Sequence, residues 1–139
     1  QITKQARRIQ VMKILIVDDD AIVVKSCVRI LEMEGMEAQV ASTVEIGEKL
    51  LSTGEPPPFD LILTDVKMPG QDGFEMIRRA RKIQPKVPIL MMTGYLTATT
   101  MEKGRRFGAD NYIAKPFTPD ELVDAVHKTT IQHKGEPEK

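Results

Sequence analysis

The feature that most constrains the fold is a series of short apolar segments that alternate with longer stretches of helical pattern. The first segment, residues 13–17 (KILIV), is short and lacks a polar face, which is typical of a strand buried on both sides. Further strands are predicted at residues 37–41, 59–64, 87–92 and 111–114. Helices are predicted at residues 21–35, 43–51, 73–83, 97–107 and 119–131.

Strands that alternate with helices at this spacing predict a parallel sheet with helices on both faces. Because crossovers between parallel strands are right-handed, we expect a doubly wound α/β domain. Of the strand orders that are common in such domains, we expect 2-1-3-4-5. Such domains bind ligands beyond the carboxyl ends of their strands, near the point where the strand order reverses. The residues that follow each strand are therefore the candidates for function.

The length of 139 residues suits one domain, and 41% apolar with 29% charged residues is ordinary for a globular chain. We expect a basic extension or linker at residues 1–12, the domain at 13–131 and a polar tail at 132–139. The chain lacks both an apolar run of ~18 residues and a signal pattern, so we expect no membrane interaction and a cytoplasmic location. The lone cysteine, Cys27, lies among apolar residues at helical spacing and is interpreted as a core residue.

The net charge is zero but unevenly distributed along the chain. Residues 1–13 carry 4 of the 20 basic residues and none of the 20 acidic ones, so the remaining 126 residues hold 20 − 4 = 16 bases against 20 acids. A nucleic-acid-binding domain carries a basic face. The charge balance of the domain therefore argues against direct nucleic-acid binding.

Polar side chains follow four of the predicted strands. Asp18 and Asp19 follow the first strand, Asp65 the third, Thr93 the fourth and Lys115 the fifth. Carboxylates that converge repel each other unless a proton or a cation joins them, and their hard oxygens suit Mg²⁺. An ammonium and a hydroxyl beside them could hold a transferring phosphoryl group, and an aspartate oxygen could attack its phosphorus.

Each of these residues also has a purely structural interpretation. The triplet Asp18-Asp19-Asp20 could cap the first helix, since aspartate is favoured at that position. Thr93 could be a turn hydroxyl, Asp65 a turn residue and Lys115 a solvated surface charge. The placement of these groups at the ends of different strands favours the phosphoryl-transfer interpretation over coincidence.

Four segments resemble the receiver domain of two-component response regulators, the CheY-like superfamily. They are, in the order of that family, ILIVDDD at 14–20, LILTDVKMPGQDG at 61–73, ILMMTG at 89–94 and GADNYIAKPFTPDEL at 108–122. The resemblance extends over about residues 13–130. It implies that Asp65 accepts the phosphoryl group and that Asp19 binds Mg²⁺ directly. Asp18 would bind through water or tune the site, and the backbone carbonyl of Lys67 would be the third protein ligand.

The resemblance also assigns roles to residues around the phosphoryl group. Thr93 and Lys115 would contact its oxygens, and the bond between Lys115 and Pro116 would be cis. Tyr112 matches the aromatic residue whose ring moves inward when the threonine engages the phosphoryl group, although an ordinary half-buried tyrosine fits the sequence equally well. Tyr95, two residues after Thr93, stands at the rim of the pocket, and we hypothesise that it shields the phosphoryl group from water.

The function implied by the resemblance is that of a switch. A partner sensor histidine kinase would donate the phosphoryl group from its phosphohistidine to Asp65. The fourth helix, fifth strand and last helix would then rearrange and act on a downstream effector domain or protein, and a phosphorylation-dependent homodimer is an additional expectation. In this interpretation the chain is no enzyme beyond catalysing its own phosphorylation and slow dephosphorylation.

Two other classes of protein compete with this interpretation. A phosphatase of the haloacid dehalogenase type also has an aspartate nucleophile after its first strand, but the pattern here ends in Ile22 instead of threonine or valine. The acidic pair that such a phosphatase needs after the fourth strand is also absent from the sequence. A receiver-like interaction module that never accepts phosphate remains open. A P-loop nucleotidase is a weaker alternative still, because GxxxxGK[ST] does not occur in the sequence.

Overall fold

The computed structural model of the chain describes residues 11–53, 59–68 and 71–134. Residues 1–10, 54–58, 69–70 and 135–139, which include most of the basic extension and the end of the polar tail, lie outside the described residues. Within the described ranges, none of the helices has both the length and the apolar character that crossing a membrane requires.

The predicted doubly wound α/β fold is confirmed. The strands are β1 (Lys13–Val17), β2 (Glu37–Ala41), β3 (Leu61–Asp65), β4 (Ile89–Thr93) and β5 (Asn111–Ala114). The helices are α1 (Ala21–Met33), α2 (Val44–Ser52), α3 (Gly73–Ile83), α4 (Ala98–Phe107) and α5 (Pro119–Lys134). All neighbouring strands of this sheet are parallel, in the order β2-β1-β3-β4-β5.

Several element ends differ from the prediction. β3 extends to Asp65, so this aspartate is the last residue of the strand instead of the residue after it. β4 begins at Ile89 instead of residue 87, because Pro88 has no N–H to donate to a neighbouring strand. α5 continues to Lys134 instead of ending at residue 131. After Pro119, which begins the helix, the next glycine or proline in the sequence is Gly135.

The core lies on both faces of the sheet because alternate residues of each strand point to opposite sides. On β1, Leu15 and Val17 pack with α2, α3 and α4, whereas Ile14 and Ile16 pack with α1 and α5. Cys27 on α1 is fully buried in the second of these clusters, which confirms its assignment to the core. A fully buried aliphatic side chain contributes about 1.5–3 kcal/mol, so this double burial explains why β1 has no polar residue after Lys13.

One arginine fastens the amino ends of β4 and β5. The guanidinium of Arg81, on α3, donates to the carbonyls of Val87 at 2.8 Å and Gly108 at 2.6 Å, and to the carboxylate of Asp110 at 3.0 Å. The same carboxylate oxygen accepts from the N–H of Ile89 at 2.8 Å. Arg81 therefore ties α3 to the starts of both strands, at the sheet edge opposite the predicted site.

Candidate functional site

The predicted site residues lie at the carboxyl edge of the sheet. Asp18 directly follows β1, Asp65 and Thr93 end β3 and β4, and Lys115 directly follows β5. The strand registers align these ends, and the N–H of Lys115 donates to the carbonyl of Thr93 at 2.8 Å. The bond between Lys115 and Pro116 is cis, as predicted.

Three carboxylates converge at this edge. Asp18, Asp19 and Asp65 each offer an oxygen that lies within 4.8 Å of the other two, and this group could hold a metal ion. Asp18 and Asp65 are buried, whereas Asp19 is exposed. Three ionised carboxylates beside one ammonium, that of Lys115, leave a net charge of −2, so the donor set fits a divalent cation with oxygen ligands.

The aspartate triplet after β1 divides into two roles. The carboxylate of Asp20 accepts hydrogen bonds from the N–H groups of Ile22 at 3.0 Å and Val23 at 3.3 Å, and so caps α1. Asp18 and Asp19 join the acidic cluster with Asp65. The capping interpretation is therefore correct for the third aspartate, and the metal-site interpretation suits the first two.

Lys115 supplies the positive charge inside the cluster. Its Nζ lies 3.3 Å from the Oδ2 atoms of both Asp18 and Asp65. Burial by itself would lower the pKa of Lys115, but the carboxylates of Asp65 and Asp18 outweigh that effect, and the pKa is raised. Lys115 is therefore firmly protonated, and its charge is available to an anion that arrives at Asp65.

Asp65 lies in an environment that disfavours its charge. Burial, followed by the neighbouring carboxylate of Asp18, raises the pKa of Asp65, while Lys115 and the N–H of Lys67 partly oppose this. The N–H of Lys67 donates to Oδ1 of Asp65 at 3.3 Å, which places the backbone of Lys67 beside that carboxylate. A cation bound here would relieve the repulsion between Asp65 and Asp18.

Thr93 and Tyr112 are positioned differently from the carboxylates. Thr93 is buried, and its hydroxyl accepts from the N–H of Tyr95 at 3.0 Å, which leaves the hydroxyl hydrogen free for donation. Tyr112 is half-buried on β5 and packs against the core cluster of α2, α3 and α4. It also lines a groove with Met101 and Arg105 of α4.

Two features of the edge were not predicted. The Nζ of Lys67 lies 4.6 Å from the centre of the Tyr95 ring, a cation–π contact between the segments that follow β3 and β4. A short antiparallel hairpin pairs Lys67–Met68 with Gln71–Asp72 before α3 begins. The sequence indicates neither feature. Two-residue strands are too short to show alternation, and a contact between the side chains of two separate loops has no periodic pattern.

The fold and the site define a doubly wound α/β domain with an acidic cluster that could hold a metal ion, and a lysine, at the carboxyl ends of its strands. The sequence profile of the family described as "Response regulator receiver domain" matches residues 14–127 of this chain. The chain belongs to that family. It is a receiver domain of two-component signalling and no conventional enzyme, which excludes the phosphatase alternative.

Named relatives agree with this assignment. The cell cycle response regulator CtrA of Brucella ovis is 32% identical over 124 residues, which cover 89% of this chain and 52% of that protein. The chain thus spans about half the length of the curated relatives it matches.

Solved structures agree as well. A CheY-like receiver domain protein from Methanospirillum hungatei JF-1 is 33% identical, with a TM-score of 0.82 over 92% of this chain and 100% of that one. The chemotaxis protein CheY4 of Vibrio cholerae is 28% identical, with a TM-score of 0.79 over 86% of this chain and 99% of that one.

Proposed function

We propose that Asp65 accepts a phosphoryl group from the phosphohistidine of a partner sensor histidine kinase. The observation that carries this proposal is the buried Asp65 carboxylate, with the Nζ of Lys115 at 3.3 Å and two further aspartates in the same cluster. An oxygen of Asp65 attacks the phosphorus, and the bond from phosphorus to the imidazole nitrogen of the donor breaks. The phosphoryl group passes to Asp65, and the imidazole leaves with its electron pair.

Mg²⁺ is the cation that this donor set suits best. Asp19 and Asp65 would hold it directly, Asp18 would hold it through water or tune the site, and the carbonyl of Lys67 would complete the protein ligands. When bound, Mg²⁺ neutralises charge on the phosphoryl oxygens. The assignment of Mg²⁺ to this site is supported by the excess of negative charge among the three carboxylates, which Lys115 balances only in part.

The phosphoryl group acts on the rest of the domain through two side chains. Lys115 exchanges part of its contact with Asp18 and Asp65 for the phosphoryl oxygens, and Thr93 donates its hydroxyl hydrogen to one of them. Since Thr93 pairs with Ala114 of β5, movement at Thr93 reaches the strand that carries Tyr112. Inward rotation of Tyr112 would then shift the population of the α4, β5 and α5 surface between two arrangements.

The partners follow from this switch. The sensor histidine kinase is the phosphoryl donor, and a downstream effector domain or protein receives the α4, β5 and α5 surface, directly or through a phosphorylation-dependent homodimer. The greater length of the CtrA relatives supports an attached effector. Neither direct nucleic-acid binding nor membrane binding belongs to this domain in our proposal, and a cytoplasmic location follows from the proposed kinase partner. The proposed domain limits are residues 13–131, between a linker at 1–12 and a tail at 132–139 whose first three residues continue α5.

The test is intact-mass spectrometry after incubation with acetyl phosphate, with and without Mg²⁺. The wild-type chain should gain the mass of one phosphoryl group only when Mg²⁺ is present. Asp65→Asn should gain none, whereas Asp124→Asn, which changes an exposed carboxylate on α5, should behave as the wild type. A wild-type chain that binds neither phosphoryl group nor beryllofluoride would instead be a phosphate-independent interaction module.

A further inference from the structure

The first residue of α3 packs directly on the backbone of the segment that carries the acceptor. A Cβ atom added to Gly73 would lie 2.2 Å from the carbonyl oxygen of Asp65 and 2.3 Å from the Cα of Val66. Neither distance is sterically tolerable, and both involve backbone atoms, which cannot swing aside as a flexible side chain can. Gly73 does not have a positive φ, so the close approach itself is what requires glycine here.

This contact belongs to a set that fixes the segment between the sheet and α3. The N–H of Val66 donates to the carbonyl of Met92 on β4 at 3.3 Å, and the N–H of Gly73 donates to the carbonyl of Val66 at 3.3 Å. Lys67 pairs with Asp72 in the hairpin, and the carboxylate of Asp72 caps α3 through the N–H of Phe74 at 3.0 Å. The backbone from Asp65 to Lys67 is thus held from two sides.

We propose that Gly73 is a positioning residue for the metal site, acting through the backbone of residues 65–67. This inference rests on the proposed function, in which the Asp65 carboxylate and the Lys67 carbonyl both bind Mg²⁺. A side chain at position 73 displaces the peptide between Asp65 and Val66, and the displacement moves both ligands together. Residues that orient metal ligands without touching the metal typically contribute about 10–100-fold to metal affinity.

Among the glycines that the structure describes, only Gly73 has this close approach to backbone atoms. A Cβ atom added to Gly47, on α2, would lie 2.9 Å from the sulfur of Met76, near the end of a flexible side chain. Gly47 is also buried, so alanine there perturbs the core without contacting the backbone of the acceptor segment. Gly47→Ala is therefore a matched control, because it changes the packing of a buried glycine while leaving the proposed ligands in place.

The experiment measures Mg²⁺ binding by calorimetry and, separately, the amide NMR shifts of the metal-free proteins. Gly73→Ala is expected to raise the Mg²⁺ dissociation constant at least about 10-fold, the lower limit for a residue that orients a ligand. Without metal, it should shift the amides of Val66 and Lys67 more than those of α5. Gly47→Ala is expected to leave the dissociation constant and these two amides near the wild-type values.

Asp72→Ala keeps the inference testable if Gly73→Ala does not fold. Loss of the α3 cap loosens the same segment and should also raise the dissociation constant, by up to about 10-fold, the lower limit for a residue that orients a ligand directly. Wild-type affinity in a folded Gly73→Ala protein, or in Asp72→Ala when only that variant folds, overturns the inference. A wild-type chain that binds no Mg²⁺ overturns the proposed metal site itself, which separates the two failures.

Discussion

Removing either Lys67 or Tyr95 is expected to shorten the lifetime of a phosphoryl group on Asp65. The Nζ of Lys67 lies 4.6 Å from the centre of the Tyr95 ring, and the two residues follow β3 and β4 at the rim of the site. Tyr95 is 65% exposed, so few other contacts can hold its ring in place at the rim of the site. The cation–π contact with Lys67 provides one. Water attack on the phosphoryl group should therefore be slowest when the pair is intact.

The expected magnitude follows from the exposure of the pair. A cation–π contact at an exposed site contributes about 0.5–1 kcal/mol. If this energy holds the ring in its shielding position, Lys67→Met should increase the rate of dephosphorylation about 2- to 5-fold. Tyr95→Ala removes the shield itself and should have at least the same effect. Since both residues act through the ring, Lys67→Met should add little in the Tyr95→Ala background.

The assay follows the loss of phosphoryl mass from Asp65 after acetyl phosphate is removed. Tyr95→Phe keeps the ring and Lys67→Arg keeps the cation, so both control variants should retain the wild-type lifetime. Two results would refute the reasoning. One is an unchanged lifetime in Tyr95→Ala, and the other is full additivity of the two substitutions, which would mean that Lys67 and Tyr95 act independently.

Three further predictions concern stability and reactivity. Arg81→Ala should lower the free energy of unfolding by about 2–3 kcal/mol, because it removes the donor of the Val87 and Gly108 carbonyls. Substitution of an exposed neighbour, Lys82→Ala, should change it by less than about 0.5 kcal/mol. Urea denaturation measures both, and equal losses would contradict the role of Arg81. Burial, together with the charge of Asp18, raises the pKa of Cys27 to about 12. A thiol reagent at pH 8 should therefore modify the protein only in urea, and equally fast reaction of the folded chain would contradict this. The pKa of Asp65 is raised in the folded state. Between its unfolded and folded pKa values, and without metal, the folded state therefore binds more protons than the unfolded state, and stability falls as the pH rises through this range. Asp65→Asn should remove this fall in EDTA-treated protein, and identical pH profiles for variant and wild type would show that Asp65 is not its source.

The fold could be predicted because its strands are short, apolar and separated by helical patterns. Double burial of β1 leaves a continuous apolar run, and the carboxyl ends of parallel strands necessarily lie at one edge. These two facts are enough to predict that Asp18, Asp65 and Lys115 lie close together. The ends of β4 and α5 were less accurate, since each depends on where a backbone hydrogen bond is first or last made.

What could not be predicted depends on contacts between segments that are distant along the chain or too short to show a pattern. The requirement for glycine at position 73 is visible only when α3 is seen against the backbone of Asp65. The contact between Lys67 and Tyr95 joins two loops whose directions no periodicity encodes. The division of the aspartate triplet also needed the structure, because Asp20 suits a helix cap just as Asp18 and Asp19 do.

The position of Arg81 at the amino edge of the sheet indicates where a reporter group could be attached to follow the state of the domain. Arg81 joins the starts of β4 and β5 through the carbonyls of Val87 and Gly108 and the carboxylate of Asp110. Because the two strands share this anchor, we expect any displacement on phosphorylation to be confined to their carboxyl halves. A fluorophore or fused reporter placed near this anchor would remain silent, whereas one on α4 would follow the state of the site.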